Sequence, residues 1–339
     1  MPHPHVPISV VIPVRDSAAH LTRCLAALAA SIVGPLDVIV VDDGSTDGSS
    51  DVAQNGGALV VCVPDGPRGP AAARNLGARH AKGEILFFLD ADVLVHSDTI
   101  ANMERCLRDH PDVAAAFGSY DDAPDHPSMV SRYRNLLHHY VHQHGNQEAS
   151  TFWAGSGAVR RSVFEAVGGF DERYARPSIE DIELGVRLRA AGHRIVLRPE
   201  IQVTHLKRWT FAGTVRSDIR DRAIPWTRLI FGQARIPADL NTSLASRLAA
   251  VAAWLVVGSL ALWTLMPGAG WGALGALLAL MGLNAGLYGF FLRKGGLVFA
   301  VVAVAMHGLY LLYSSAAFAG LFIVHWVHWG HRLAGRRAA

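Results

Sequence analysis

Beyond Arg247 the chain contains no Asp or Glu, and residues 248–292 and 295–331 contain no Lys or Arg either. Each uncharged run exceeds the roughly 20 apolar residues that carry a helix across a bilayer. A water-soluble fold rarely leaves that much sequence without charge, so a membrane-spanning C-terminal region is expected; the competing reading is a buried hairpin in a larger soluble domain. Residues 249–266 read as one span, closed by Pro267-Gly268, and residues 271–292 as the return. The run 297–331 is too long for one span and has no breaker in its middle, so three spans are expected, or four if it crosses twice. Arg293-Lys294, the basic segment before the first span and the tail with Arg332, Arg336 and Arg337 all ask for the cytoplasmic side. Placing all three there needs an even number of crossings or a re-entrant third segment; three spans put the tail outside.

Upstream the balance changes. Residues 1–204 carry 18 Lys and Arg against 25 Asp and Glu, a net of −7, whereas residues 205–247 carry eight basic side chains against three acidic ones. Trp209, Phe211, Trp226 and Phe231 lie among those arginines, the composition of a segment resting at anionic headgroups. The expected organisation is therefore a globular domain at 1–212 (halves 1–97 and 98–212), a basic and aromatic interfacial linker at 213–247, spanning helices at 248–331 and a basic tail at 332–339. No cleavable signal is read at the N terminus, where Met-Pro-His-Pro-His-Val-Pro runs straight into an apolar strand. An integral protein of the cell (inner) membrane with its globular domain in the cytoplasm is expected. Cys24, Cys62 and Cys106 have no metal-like spacing and are expected as free thiols. The lipid bilayer is the expected macromolecular partner, and no nucleic acid polymer is.

The first 90 residues alternate between two periods. Residues 8–13 form a short β-branched run stopped by Pro13; Asp16-Ser17 reads as a cap, and Leu21, Cys24, Leu25 and Leu28 then share a helix face. Strands follow at 37–41, 59–63 and 85–89, with a helix after the second strand and another at 71–81 behind a Gly/Pro-rich loop. This βαβ alternation predicts an α/β fold, a mainly parallel sheet with helices on both faces. Ligands of such sheets bind outside the carboxyl ends of the strands. Three strand ends, Pro13-Val14-Arg15, Asp42-Asp43 and Asp90-Ala91-Asp92, should meet on that rim. No Gly-x-Gly-x-x-Gly follows the first strand, which speaks against a dinucleotide site. Two carboxylates one residue apart repel each other unless a cation lies between them, and oxygen ligands suit Mg²⁺ or Mn²⁺ that also holds substrate phosphates. Turn and cap duties are the alternative for such acids, for Ser45 and Asp47 as well.

Order and context decide between these. Val10-Val-Ile-Pro13, Val40-Val-Asp-Asp-Gly-Ser-Thr-Asp47, Ala73-Arg-Asn-Leu-Gly77, Leu89-Asp-Ala-Asp92, Gly155-Ser-Gly157, Gly168-Gly-Phe-Asp-Glu172 and Glu180-Asp181 together resemble glycosyltransferase family 2, in its membrane-anchored bacterial form with C-terminal helices. The resemblance covers about residues 8 to 209. It implies the GT-A nucleotide-diphospho-sugar transferase fold and a divalent cation, Mn²⁺ or Mg²⁺. Carried over residue by residue, it implies donor contacts from Pro13, Val14, Arg15, Asp42, Asp43, Arg74, Asn75, Asp90, Ala91 and Asp92. Asp92 would ligate the metal, with Asp90 at the ribose or the metal's water. Gly155 and Ser156 fall in the acceptor half, and Asp181 becomes the base, with Glu180 the runner-up. Direct attack by the deprotonated acceptor inverts the anomeric centre.

His205-Leu-Lys-Arg-Trp209 resembles the Gln-x-x-Arg-Trp box of processive synthases in that family, with His for Gln. His205 is implied as a further metal ligand, Arg208 as facing the diphosphate and Trp209 as stacking on the acceptor; juxtamembrane anchoring competes for the last two. His138 and His142, with His139 and His144 nearby, are expected on a polar helix face rather than around a metal. The implied function is an inverting transferase that moves a sugar from a nucleotide-diphosphate donor, UDP favoured, to a hydroxyl or phosphate of a lipid-linked acceptor at the cytoplasmic face. The alternatives are a soluble or growing polysaccharide acceptor, or a non-catalytic nucleotide-sugar-binding membrane protein.

Overall fold

The computed structural model describes residues 6–231 and 244–337, with side chains as far as Trp326. Arg235, Asp239, the start of the N-terminal segment and the side chains of Arg332, Arg336 and Arg337 therefore lie outside the described residues. The chain forms two compact units, Met1–Arg208 and Trp209–Ala339.

The first unit opens with β1 (Ile8–Val14), α1 (Ala18–Ala29), β2 (Asp37–Asp42), α2 (Ser49–Asn55), β3 (Leu59–Cys62), α3 (Pro70–His80) and β4 (Ile85–Leu89). It continues with β5 (Val93–Val95), α4 (Thr99–Asp109), β6 (Val113–Tyr120), α5 (Met129–Gln143), β7 (Glu148–Ala149), β8 (Ser156–Arg160), α6 (Arg161–Ala166), α7 (Glu180–Ala190) and β9 (Arg194–His205). One sheet runs β3-β2-β1-β4-β8-β6-β9-β5, with β7 added beside β9. The first four strands are mutually parallel. β8 is antiparallel to both neighbours, β6 and β9 are parallel, and β5 returns antiparallel to β9.

Central strands of such a sheet are covered on both faces, so they read as continuous apolar runs. Alternate residues supply the two layers. Val10, Ile12, Phe87 and Leu89 pack with Leu21, Leu25, Met103 and Leu107 of α1 and α4. Val11, Val41, Leu86 and Phe88 pack with Ala73 of α3, Phe164 of α6 and Leu184 of α7. Pro70 sits in the first turn of α3, where its missing N–H has no helical partner to lose. Gly77 lets that helix lie close on the sheet, since a Cβ there would stand 2.4 Å from Val11 Cγ1 and 2.9 Å from Val41 Cγ2. The helix so placed carries Arg74 and Asn75.

The start of α1 differs from the sequence expectation. Neither Asp16 nor Ser17 caps it with a side chain; the Ala18 N–H donates to Asp47 Oδ2 at 2.8 Å, and the Ser17 N–H to Ser49 Oγ at 3.1 Å. A helix start needs acceptors for its free N–H groups, and here the turn after β2 provides them.

The second unit begins with α8 (Phe211–Arg216), capped by Thr210, whose Oγ1 accepts from the Gly213 N–H at 3.1 Å. A π-helical turn (Ser217–Ala223) and α9 (Ile224–Phe231) follow, then α10 (Leu244–Trp263), α11 (Ala269–Leu283) and α12 (Ala285–Arg337). Among the described residues two helices are long and apolar enough to cross a membrane, Leu244–Trp263 and Ala285–Trp326. The stretch 271–292 is divided at Asn284, whose Nδ2 donates back to the Leu280 carbonyl at 2.9 Å, and α12 breaks at Gly296, where φ is 74°. Trp254, Leu255, Leu277 and Val301 are exposed on these helices. Polar ties inside the unit include the Tyr313 hydroxyl donating to Asp218 Oδ2 at 2.6 Å and Trp254 Nε1 donating to Ser315 Oγ at 2.9 Å.

Candidate active site

The parallel register brings the carboxyl ends of β2, β1 and β4 side by side. Val14 pairs with Asp42, and the Asp43 N–H donates to the Val14 carbonyl at 2.9 Å. Pro13 and Val14 complete the strand, while Arg15 turns outward with its Nε 3.9 Å from Asp16. Both acids after β2 are engaged by their own chain. Asp42 accepts the Ser45 N–H at 2.7 Å and the Ser50 hydroxyl. Burial opposes its ionisation, but the bonds from Ser50 and Ser45 outweigh that and lower its pKa. Asp43 accepts the Arg68 and Gly69 N–H groups at 2.7 Å each, fixing the loop that leads into α3.

The acids after β4 meet cations instead. Arg74, almost fully buried, donates from Nη2 to Asp90 Oδ1 at 2.7 Å and from Nη1 to Glu180 Oε1 at 2.8 Å. Its guanidinium carbon stands 5.5 Å from the Phe170 ring centre. Burial works against its charge, yet Asp90, Glu180 and Asp181 outweigh it and keep the arginine protonated. The same burial raises the Asp90 pKa; Arg74 opposes that, and Asp92 adds to it. Asn75, next on α3, is taken up by the acceptor-side loop: it donates to the Phe170 carbonyl at 2.8 Å and accepts the Phe170 N–H at 2.8 Å. Arg74 and Asn75 thus join the two halves of the sheet, a role that their place in the sequence does not announce.

Asp92 sits where β5 begins. Because β5 pairs with β9 through Val93 opposite His205, and the Leu206 N–H donates to the Asp92 carbonyl at 2.9 Å, Asp92 and His205 lie side by side. His205 Nε2 is 3.6 Å from Asp92 Oδ2, beyond hydrogen-bond length. Burial would raise the Asp92 pKa, but His205, Lys207 and His20 outweigh it and hold the carboxyl at about 2. A permanently ionised oxygen beside an imidazole nitrogen is a two-donor set, and among the described residues no third His, Cys, Asp or Glu joins it. That set fits an oxygen-loving cation that fills its other positions with water and phosphate oxygens.

Asp181 opens α7 beside Glu180. Its Oδ2 accepts the Ala154 N–H at 3.1 Å and its Oδ1 the Ile182 N–H at 2.8 Å. Desolvation and the neighbouring Glu180 push its carboxyl up to about 7, against the pull of Arg74 and those two N–H groups. Glu180 is fully engaged, one oxygen on Arg74 and the other on the Ser178 N–H at 2.8 Å. The Asp90 N–H donates to the Gly155 carbonyl at 3.2 Å, and the Ser156 hydroxyl is buried with no hydrogen-bond partner among the described residues. Arg208 is exposed at the end of the first unit; Trp209 opens the second.

The α5 histidines do not form a polar face. His139 and His142 are buried, donating from Nδ1 to the Tyr120 and Gly118 carbonyls of β6 at 2.8 and 3.1 Å, and burial takes the His142 pKa down to about 4. An imidazole that satisfies a carbonyl can live in a core, and these do. Tyr120 and Trp153, absent from the expected set, line the space between α5 and His205. The signal available was Tyr120-Asp121-Asp122, an aromatic and two acids ending a strand as Asp42-Asp43 ends β2.

The family model described as Glycosyl transferase family 2 matches residues 9–168, and one described as N-terminal domain of galactosyltransferase matches 134–209. The chain is 33% identical over 212 residues (59% of it, 43% of the relative) to the pre-mycofactocin glycosyltransferase of Mycobacterium tuberculosis. It is 31% identical over 230 residues (56% and 49%) to the validoxylamine A glucosyltransferase of Streptomyces hygroscopicus subsp. limoneus. Over 180 residues (49% and 64%) it is 33% identical to the PGL/p-HBAD biosynthesis glycosyltransferase of Mycobacterium bovis. The matched stretch spans about half the length of the first two of these relatives. Among solved structures, the mannosyltransferase PcManGT from Pyrobaculum calidifontis, in complex with GDP-Man and Mn²⁺, superposes with a TM-score of 0.61 at 20% identity, covering 94% of this chain and 88% of that one.

Proposed function

We propose, from the match of residues 9–168 to the Glycosyl transferase family 2 model and from the GT-A sheet, that this chain is an inverting glycosyltransferase acting on a nucleotide-diphosphate sugar. One observation carries the reading: a single buried guanidinium, Arg74, holds Asp90 of the donor strand end on one nitrogen and Glu180, neighbour of Asp181, on another. An acidic pair suited to a cation and a carboxyl suited to proton abstraction therefore share one cleft.

Asp181 is the base. Two backbone N–H groups fix its orientation, and its pKa near 7 leaves about half of it ionised at neutral pH and basic enough to accept a proton from an acceptor hydroxyl. Asp92 and His205 would hold a divalent cation, which when bound neutralises charge developing on the departing diphosphate. Asp42, Asp43, Pro13, Val14 and Arg15 form the floor on which the nucleoside rests. UDP is the favoured carrier; PcManGT is in complex with GDP-Man, so GDP donors belong in the first screen as well.

The acceptor is read as lipid-linked and approached from the cytoplasmic side. Exposed Trp254, Leu255 and Val301 on long apolar helices suit lipid contact rather than water, and the arginines of residues 205–247 suit anionic headgroups. The test is nucleotide release from a panel of UDP- and GDP-sugars by detergent-purified enzyme, with and without Mn²⁺, followed by mass analysis of lipid products. Donor- and Mn²⁺-dependent release that disappears in Asp181→Asn is expected; undiminished release in that variant would remove the catalytic reading, and preference for short water-soluble acceptors would remove the lipid-linked one.

A further inference from the structure

His205 can serve as a ligand only if its ring plane is fixed. An imidazole on a strand end turns about two bonds, and neighbouring groups that orient it are commonly worth as much as a ligand contact. No hydrogen bond of the kind that normally does this is formed by His205 among the described residues. Its ring instead lies against Tyr120, centroids 4.4 Å apart and planes inclined by only 10°. We propose that Tyr120 is the positioning residue of the cation site, holding the His205 imidazole by face-to-face stacking so that Nε2 faces Asp92. This rests on the reading of Asp92 and His205 as the cation pair.

The fold builds the stack on its strands. β6 and β9 run parallel with a register irregularity between Phe117 and Ser119, after which Tyr120 stands opposite Val203. His205 is two residues further on and so shares a sheet face with Val203. The irregularity needs Gly118, where a Cβ would come within 2.2 Å of the Ile201 carbonyl oxygen. Behind Tyr120 the stack is closed. Trp153 meets its ring edge-on at 4.9 Å and His138 lies at 4.3 Å, while His138 in turn contacts Trp153 at 4.8 Å and His142 at 4.0 Å. His139 anchors the Tyr120 backbone through its carbonyl. The α5 histidines thereby acquire a purpose: half-buried His138 packs on the Tyr120 ring, and buried His142 and His139 stand behind it and at its backbone.

Stacking needs the ring and not the hydroxyl, and this makes the proposal testable. Mn²⁺ binding to full-length enzyme in detergent with UDP present would be followed by electron paramagnetic resonance of free Mn²⁺, independently of turnover. Tyr120→Leu should weaken Mn²⁺ about tenfold, Tyr120→Phe should stay within about twofold of wild type, and His205→Ala should be at least as impaired as Tyr120→Leu. Tyr120→Met, which fills a similar volume without a flat face, should behave as Leu does, and keeps the test available if Leu compromises folding. Wild-type Mn²⁺ affinity in Tyr120→Leu or Tyr120→Met alongside a weakened His205→Ala would overturn the proposal and leave the cation pair standing, as would a Tyr120→Phe as weak as Leu. Wild-type affinity in His205→Ala would remove His205 from the cation site, and this proposal with it.

Discussion

Two acidic pairs end neighbouring strands on the same rim of the sheet, yet they are held in opposite ways. Asp42 and Asp43 accept backbone N–H groups and hydroxyls of the next turn and loop. Asp90 and Asp92 face side-chain cations or imidazole, Arg74 for one and His205 for the other. Backbone donors are fixed and neutral, so the first pair shapes the loop into α3 and the turn that caps α1. Arg74 carries charge, so the second pair sits in a tuned field, with Asp92 held ionised at about 2 and Asp90 raised. The same carboxylate chemistry thus stands twice on one rim, once tied to the backbone and once to side chains.

Exchanging the pairs should separate activity from stability. Asp92→Asn is expected to lower kcat/KM by about two to three orders of magnitude, the scale of a lost electrostatic contact to the transition state, with the thermal midpoint within a few degrees of wild type. Asp43→Ala is expected to act first on stability, and on activity through a raised KM for the donor rather than a lowered kcat. It leaves the Arg68 and Gly69 N–H groups without their acceptor, the latter in a buried setting, at about 1–3 kcal/mol for an unsatisfied buried donor, read by chemical denaturation. A large stability loss in Asp92→Asn with little in Asp43→Ala would erase the distinction.

The next effect concerns pH. With Asp181 as the proposed base, which would act only when ionised, kcat/KM should climb with pH through about 7 and level off above it. The stability it contributes runs the other way. Its folded pKa is raised above the ordinary carboxylate value of about 3.9, so that contribution is complete below that value and is lost as pH rises through about 7. An activity limb near 4 would mean that Asp181 is not the titrating base.

The alternation of apolar runs makes the first four strands, α1 and α3 legible, because period 2 and period 3.6 are written in adjacent residues. The site is legible only as parts. Arg74 is 16 residues from Asp90 and 106 from Glu180, so no local pattern announces that it bridges them, and the sequence alone suggests a cation aimed at the nucleotide. The α5 histidines depart from expectation because imidazole counts as polar in a sequence pattern; a ring that donates to a strand carbonyl is core material. The expected cap of α1 is its own Asp16-Ser17, whereas Asp47, 29 residues away from Ala18, supplies it. In each case the missing information is tertiary: which distant donor meets which acceptor.

If charge on the partner were all that mattered, any arginine–carboxylate contact should behave as Arg74 and Asp90 do. The chain offers a control. Arg23 donates to Asp125 through both terminal nitrogens, at 2.7 and 3.1 Å, but its side chain is 48% exposed and that of Asp125 33%, against 6% for Arg74. Water screens the exposed pair and competes for its donors, so a double-mutant cycle on Arg23 and Asp125 should give a coupling of about 0.2–1 kcal/mol that shrinks with added salt. In the Arg74 pair the carboxylate is as exposed as that of Asp125, 34% for Asp90, and only the guanidinium is removed from water, so its coupling should lose less to salt over the same range. A coupling above about 2 kcal/mol for Arg23 and Asp125, or equal salt dependence in the two pairs, would mean that bidentate geometry rather than burial sets their strength, and the contrast between the two rim pairs would have to be sought in geometry as well.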